Sequence, residues 1–222
     1  MTALDARASF PNMTRRRPPS HLRFPSPPGD LVIGIMGGSF DPPHSGHAHV
    51  TETPRRAAGR DRGWVFVAAG NPLKKTQTAF VDRLAATQRR LGGRRTTVTG
   101  LEHQLGLRYT IDLLKRLKRS APHARFVWIM GADNLRDFHR WKSWQAIASL
   151  VPIVVIARPG ANPKAGLSRF ATRFSASRLP QSAARTLASH AAPAWVYIAA
   201  PLDPISSSEI RAQILTAAIP PI

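Results

Sequence analysis

Leu31–His47, LVIGIMGGSFDPPHSGH, decides the fold. It opens on Leu31–Met36, an apolar run with no alternation of polar and apolar positions. Such a run suits a strand buried on both faces, as in a parallel sheet covered by helices. Gly37 and Gly38 end the run; they let the backbone turn sharply and a ligand approach closely. Asp41–Pro42–Pro43 sets a rigid bend. A helix is expected to start near Ser45–Gly46, with its free amides and positive dipole end facing the space above the strand. His44 and His47 stand three residues apart at that end. Imidazoles donate hydrogen bonds to phosphate oxygens without carrying a permanent charge. The stretch is not a P-loop, since it lacks Gly-Lys-Ser/Thr. Gly34, Gly37 and Gly38 are also wrongly spaced for a dinucleotide fingerprint. Two other readings of the histidines stay open. They could be metal ligands, although the nearby His49 falls on a different helix face, or they could cap and pack.

Working outward, Trp64–Ala69 (WVFVAA), Arg125–Met130 (RFVWIM), Val151–Ala157 (VPIVVIA) and Ala194–Ala199 (AWVYIA) repeat the buried-strand pattern. Arg94–Leu101 (RRTTVTGL) is more polar and suits a place nearer an edge. Helical stretches lie between them, at Gly46–Ala58, Ala79–Leu91, Thr110–Arg119, Asn134–Phe138, Lys142–Ser149, Gln181–Ser189 and Ser208–Ala217. Pro54 is expected to kink or shorten the first. Thr110 is expected to cap the helix that carries Ile111, Leu114 and Leu117. Arg158–Pro180 reads as a loop. Alternating strands and helices predict an α/β fold: a doubly wound parallel sheet that binds ligands beyond the carboxyl ends of its strands.

The 222 residues, 43% of them hydrophobic, suit one domain with appendages. The absence of cysteine excludes disulfides, zinc–thiolate sites, iron–sulfur clusters and cysteine nucleophiles. No apolar run approaches the ~20 residues that span a bilayer, and no signal peptide is readable. A cytoplasmic setting is therefore expected. Residues 1–29 hold six prolines and Arg15–Arg17, and read as a flexible extension ahead of a domain over 30–222. The formal charge is +20, from 26 arginines and six lysines against 12 acidic residues. Five arginines and one aspartate in residues 1–29 leave +16 on the domain, so a basic tail does not explain the charge. An anionic small substrate on a generally basic surface, or a nucleic-acid-binding module, would each use it.

GGSFDPPHSGH resembles the nucleotide-binding motif of the nucleotidyltransferase superfamily with the H-x-G-H element. It is particularly similar to that of the bacterial nicotinate-nucleotide adenylyltransferases. The related phosphopantetheine adenylyltransferases usually carry threonine where His44 stands. Ile205–Arg211, ISSSEIR, resembles the second signature I-S-S-T-x-I-R, with Ser208 for threonine. Taken alone, Ser206 and Glu209 would form a capping box. Gly70–Lys75 (GNPLKK), Leu107–Leu114 (LRYTIDLL) and Gly131–Trp144 (GADNLRDFHRWKSW) resemble three further family segments, in the expected order. The likeness runs from about Leu31 to about Leu215.

This resemblance implies a Rossmann-like nucleotidyltransferase that moves AMP from ATP to nicotinate mononucleotide, with Mg²⁺. His44 and His47 would meet the α- and β-phosphates. Gly37, Gly38, Ser39, Phe40 and Asp133 would also bind ATP, and Lys74, Ser207, Ser208 and Arg211 would hold the β- and γ-phosphates. Tyr109, Thr110, Trp141 and Lys142 would bind nicotinate mononucleotide. Plainer readings stand beside these: a solvated lysine pair at 74–75, a capping Thr110, and Trp141 with Trp144 on one apolar helix face. Arg108 departs from the family's common serine. Lys142 departs from its common aromatic, and a cation there favours an acid over an amide substrate. Nicotinamide mononucleotide and phosphopantetheine are the alternative acceptors. A basic nucleic-acid-binding module on an inactive fold is the alternative from another class.

Overall fold

The computed structural model describes residues 31–70, 78–157 and 168–199. Its core is a seven-stranded sheet: β1 (Val32–Gly38), β2 (Arg62–Val67), β3 (Thr96–Thr99), β4 (Arg125–Gly131), β5 (Ile153–Ile156), β6 (Arg178–Leu179) and β7 (Trp195–Ile198). The order is β3-β2-β1-β4-β5-β7-β6, and every pairing is parallel. Winding runs one way from β1 through β2 to β3, and the other way from β4 outward. The switch point therefore lies between β1 and β4, where a doubly wound sheet opens its ligand crevice. The more polar β3 sits at an edge, as its sequence implied.

Successive residues of the central strands face opposite cores, as the two-residue strand period requires. Ile33 and Ile35 of β1, with Phe126, Trp128 and Met130 of β4, point to one side. Val32 and Met36, with Val127 and Ile129, point to the other. The first side is covered by α4 (Thr110–Ser120), α5 (Ala132–Asp137), α6 (Trp144–Leu150) and α7 (Arg169–Arg173). The second is covered by α1 (Ser45–Ala57), α2 (Phe80–Leu91) and the 3₁₀ stretch Gln181–Ser189. Each large apolar side chain so buried contributes about 1.5–3 kcal/mol of transfer free energy. A short α3 (Leu101–Gln104) follows β3.

Three local expectations need correction, and a fourth gains detail. α1 continues through Pro54 to Ala57; the proline falls in its last turn, and the Ala58 amide closes that turn on the Pro54 carbonyl at 2.8 Å. Thr110 is the first helical residue of α4 rather than its cap. Tyr109 takes the cap position with extended backbone, and no side chain makes the cap hydrogen bond. The stretch 158–180, expected to be a loop, contains α7 and β6 within its described part. α7 is five residues long, too short to show periodicity, yet Ser168 caps it and Phe170 is buried. Gln181–Ser189 is helical over the expected bounds, in the 3₁₀ form, and its buried Ala184 and Leu187 fit the three-residue turn.

Candidate active site

The chain leaves β1 at Gly38 and enters α1 at Ser45. Phe40 adopts φ 49°, in the left-handed region, and is only 1% exposed. Its ring folds back over Gly38, where a Cβ would meet it at 3.1 Å. The same ring lies 4.9 Å from that of His47, centroid to centroid. Gly38 thus leaves room for Phe40, and Phe40 backs His47. The Asp41–Pro42 peptide is cis. Asp41 and His44 are both buried.

His44 holds the N-cap position of α1 with extended backbone. Its ring lies 3.8 Å from that of His47. The His44 amide donates to Nδ1 of His47 at 3.2 Å. An Nδ1 that accepts carries no proton, so this bond assigns the neutral His47 ring its N–H at Nε2. The Thr51 hydroxyl lies 2.8 Å from the His47 carbonyl and 3.3 Å from the Met36 sulfur, which fixes this part of α1 against β1. The first amides of a helix lack an acceptor four residues back; in α1 the His47 amide instead donates to the His44 carbonyl at 3.0 Å. His49 lies apart, its Nε2 3.3 Å from the Thr53 hydroxyl. Among the described residues, no group of three or more His, Cys, Asp or Glu side chains could hold a metal ion.

Gly37 has a different reason. A Cβ there would stand 2.9 Å from Cη2 of Trp128, on the neighbouring strand β4. The Trp128 indole meets Trp141 edge to face, with centroids 6.0 Å apart. Phe138 meets the Trp141 ring from 5.2 Å. Lys142 places its ammonium 4.2 Å from the Tyr109 ring centroid, a cation–π contact. Residues 109–110 and 141–142, distant in sequence, are therefore brought together beside the switch point. Ser143, next in the chain, has φ 52°; it and Phe40 are the non-glycine residues with positive φ among those described. Both lie in the turns that carry candidate site residues, where backbone strain tends to collect. Asp133 is exposed in the first turn of α5, directly after β4. Lys74, Ser207, Ser208 and Arg211 lie outside the described residues.

Among the buried charged residues that the sequence did not mark, Arg60, Arg83 and Glu102, two stand at the carboxyl ends of β2 and β3. Arg83, in the first turn of α2, is 2% exposed. Its Nη1 donates to the carbonyls of Ser39 at 2.6 Å and Ala68 at 3.0 Å. Nη2 donates to Ala69 at 3.2 Å, and Nε to Thr78 at 3.1 Å. Burial lowers its pKa, and the Asp41 carboxylate opposes that shift. Its spacing was a usable signal: Arg83 falls three residues after Phe80 and four before buried Thr87, on the inward stripe of α2.

Glu102, buried in α3, is the second. Burial raises its pKa to about 7. Unfolded, the carboxyl ionises near its model value of 4.5. The folded state then keeps a proton that the unfolded state releases, so stability falls as pH rises from about 4.5 to about 7 and is level above. Glu102→Gln should flatten that slope and raise stability at pH 8 by up to about 3 kcal/mol. Urea unfolding of both proteins between pH 4.5 and pH 8 checks this; parallel curves would refute the assignment.

A groove of about 760 Å³ lies at the amino-terminal ends of β2 and β3, lined by Arg62, Arg90, Arg94 and Arg95. Glu52 is the acidic residue in its wall, and lies 3.9 Å from Arg60. Part of the surplus positive charge is thus gathered away from the switch point. No helix among the described residues is long and apolar enough to cross a membrane.

The cytidylyltransferase-like family model matches residues 35–213. A Cereibacter sphaeroides protein named probable nicotinate-nucleotide adenylyltransferase is 48% identical over 183 residues, covering 82% of this chain and 97% of that one. An Agrobacterium fabrum protein of the same name is 45% identical, covering 82% and 98%. A solved structure of Plasmodium falciparum nicotinic acid mononucleotide adenylyltransferase, complexed with NaAD, shares the fold. It superposes with TM-score 0.59 at 20% identity, covering 82% of this chain and 83% of that one. The sheet order, the two histidines at the start of α1 and this likeness agree: the chain belongs to the cytidylyltransferase-like family, and within it to the nicotinate-nucleotide adenylyltransferase family.

Proposed function

We propose that the chain transfers the adenylyl group of ATP to nicotinate mononucleotide, giving deamido-NAD and pyrophosphate. The observation that carries this reading is the His44–His47 pair, rings 3.8 Å apart, at the start of α1 and beside the switch point. A phosphate oxygen of the mononucleotide attacks the α-phosphorus. The bond from that phosphorus to the bridging oxygen breaks, and pyrophosphate leaves with the bonding electrons. No protein nucleophile is needed. Catalysis rests on alignment and on stabilising charge at the α-phosphate and the leaving group.

In this reading Nε2–H of His47 donates to a phosphate oxygen, and His44 and the first amides of α1 complete the cradle. Gly37, Gly38, Ser39 and Phe40 contribute through main chain, since the Phe40 ring is turned inward. Asp133 meets the nucleotide from the first turn of α5. Lys74, Ser207, Ser208 and Arg211 take the β- and γ-phosphates. Trp141 stacks on the pyridine ring while Tyr109, Thr110 and Lys142 surround its carboxylate. ATP would enter as its Mg²⁺ complex, the ion supplying charge neutralisation on the triphosphate without an all-protein site. A cysteine-free chain that uses ATP suits the cytoplasm.

Pyrophosphate release from ATP, measured with three acceptors, tests the reading. Nicotinate mononucleotide should be used at least about tenfold better, in kcat/KM, than nicotinamide mononucleotide or phosphopantetheine, a preference of about 1.4 kcal/mol. A folded sample that turns over none of the three, with Mg²⁺ present, would overturn it.

A further inference from the structure

Arg83 lies under the turn between β1 and α1, and its donors are largely spoken for. A guanidinium has five N–H bonds. Four of them go to main-chain carbonyls: Ser39 after β1, Ala68 and Ala69 after β2, and Thr78 before α2. At 2% exposure, with its donors so committed, Arg83 acts on its neighbours and not on a ligand in solvent.

We infer that Arg83 is a positioning residue for the nucleotide: by holding the Ser39 carbonyl inward it turns the Phe40 amide toward the phosphate site. A trans peptide is planar, with its C=O and N–H pointing opposite ways. The 2.6 Å bond from Arg83 to the Ser39 carbonyl therefore orients the amide of Phe40 in the same peptide plane. The next residue compounds the effect. Phe40 is held at φ 49°, a conformation that a non-glycine residue keeps only when its surroundings enforce it. The bonds to Ala68 and Ala69 tie that peptide to the end of β2, so the turn is fixed to two strands at once. Asp41 adds charge complementarity from the turn itself. Lysine cannot replace this arrangement, because its donors radiate from one nitrogen and cannot span carbonyls on three segments.

The nucleotide part of this inference rests on the ATP reading above, and the test separates the two. Arg83→Lys and Arg83→Met are made in the full chain. Calorimetry gives the Kd for ATP with Mg²⁺, steady-state assays give KM for each substrate, and hydrogen exchange is followed peptide by peptide. In Arg83→Lys the Kd for ATP should rise at least tenfold while KM for nicotinate mononucleotide stays within twofold. Exchange across residues 38–47 should quicken at least tenfold, with α4 unchanged. A merely structural role would instead lower the active fraction and leave both KM values alone. Exchange in 38–47 that matches wild type overturns the inference, whatever ATP does. Faster exchange there with ATP binding within twofold of wild type overturns its nucleotide part. Wild type that fails to bind ATP overturns the ATP reading, and with it the nucleotide part, while the exchange comparison still decides whether Arg83 orders the turn. Should Arg83→Met fail to fold, the lysine variant carries the same comparison.

Discussion

His47→Ala should lower kcat by about 10²-fold or more, comparable to removing one preorganised donor from an oxyanion site. His44→Ala should fall by a similar factor. The two are not equivalent in the structure. His47 is half-buried, braced by Phe40 at 4.9 Å, with Nδ1 satisfied by the His44 amide. Its ring is therefore held in one tautomer before any substrate arrives, which is what makes a neutral donor effective. His44 is buried and caps α1, so its removal also disturbs the helix start. An N-cap loss typically costs about 0.5–2 kcal/mol, so the His44 variant should show the lower unfolding midpoint. The two rings touch, hence the double variant should lose less than the product of the single losses. Single-turnover AMP transfer, with circular dichroism to verify folding, measures all of this. Near-full activity in both single variants would remove the histidines from the phosphate site.

The apolar run at Leu31–Met36, the two glycines after it and the strands that repeat its pattern made the sheet legible. So did the polarity of RRTTVTGL, which placed β3 near an edge. A parallel strand buried on both faces leaves that continuous signature, and little else does. The site was legible only as far as main-chain geometry goes. Gly37 and Gly38 were read as turn formers, yet the space at one is limited by Trp128 and at the other by Phe40. Which ring meets which glycine depends on strand register, and register between distant segments is not written in local spacing. The place of Arg83 on the inward stripe of α2 was legible, but its role was not. Its partners are carbonyls, and carbonyls have no residue identity to read. Glu102 carried no signal in the sequence because its burial comes from tertiary packing. Thr110 shows the converse. Threonine is a favoured cap, but extended backbone at Tyr109 moved the helix start by one residue.

The charge also divides in a way composition could not show. A single total of +20 contains a four-arginine groove at the amino-terminal ends of β2 and β3 and a fully enclosed arginine at the carboxyl ends of β1 and β2. The first faces solvent and is screened by salt. The second is bonded to carbonyls and is largely insulated from it.

Trp128→Ala should destabilise the chain by about 3–5 kcal/mol, the usual range for deleting a large buried aromatic. The indole is 1% exposed and wedged between strand β1 and Trp141. Gly37→Ala attacks the same contact from the other side. Its Cβ would stand 2.9 Å from Cη2 of the ring, a separation that requires a shift. Neither β1 nor a packed indole yields easily, so a cost of about 1–3 kcal/mol follows. Combining the two relieves that clash, because the alanine at 37 then borders the space the indole vacated. The double variant should thus be more stable than the sum of the single losses implies, by about 0.5–3 kcal/mol. Urea unfolding of the four proteins gives the coupling directly. If Gly37→Ala costs the same in both backgrounds, the ring does not dictate glycine at that position. The functional consequence follows from the edge-to-face contact at 6.0 Å. In the milder Trp128→Phe, the smaller ring loosens Trp141, and KM for nicotinate mononucleotide should rise while KM for ATP holds. Equal rises in both would place the strain at the phosphate turn instead of the pyridine site.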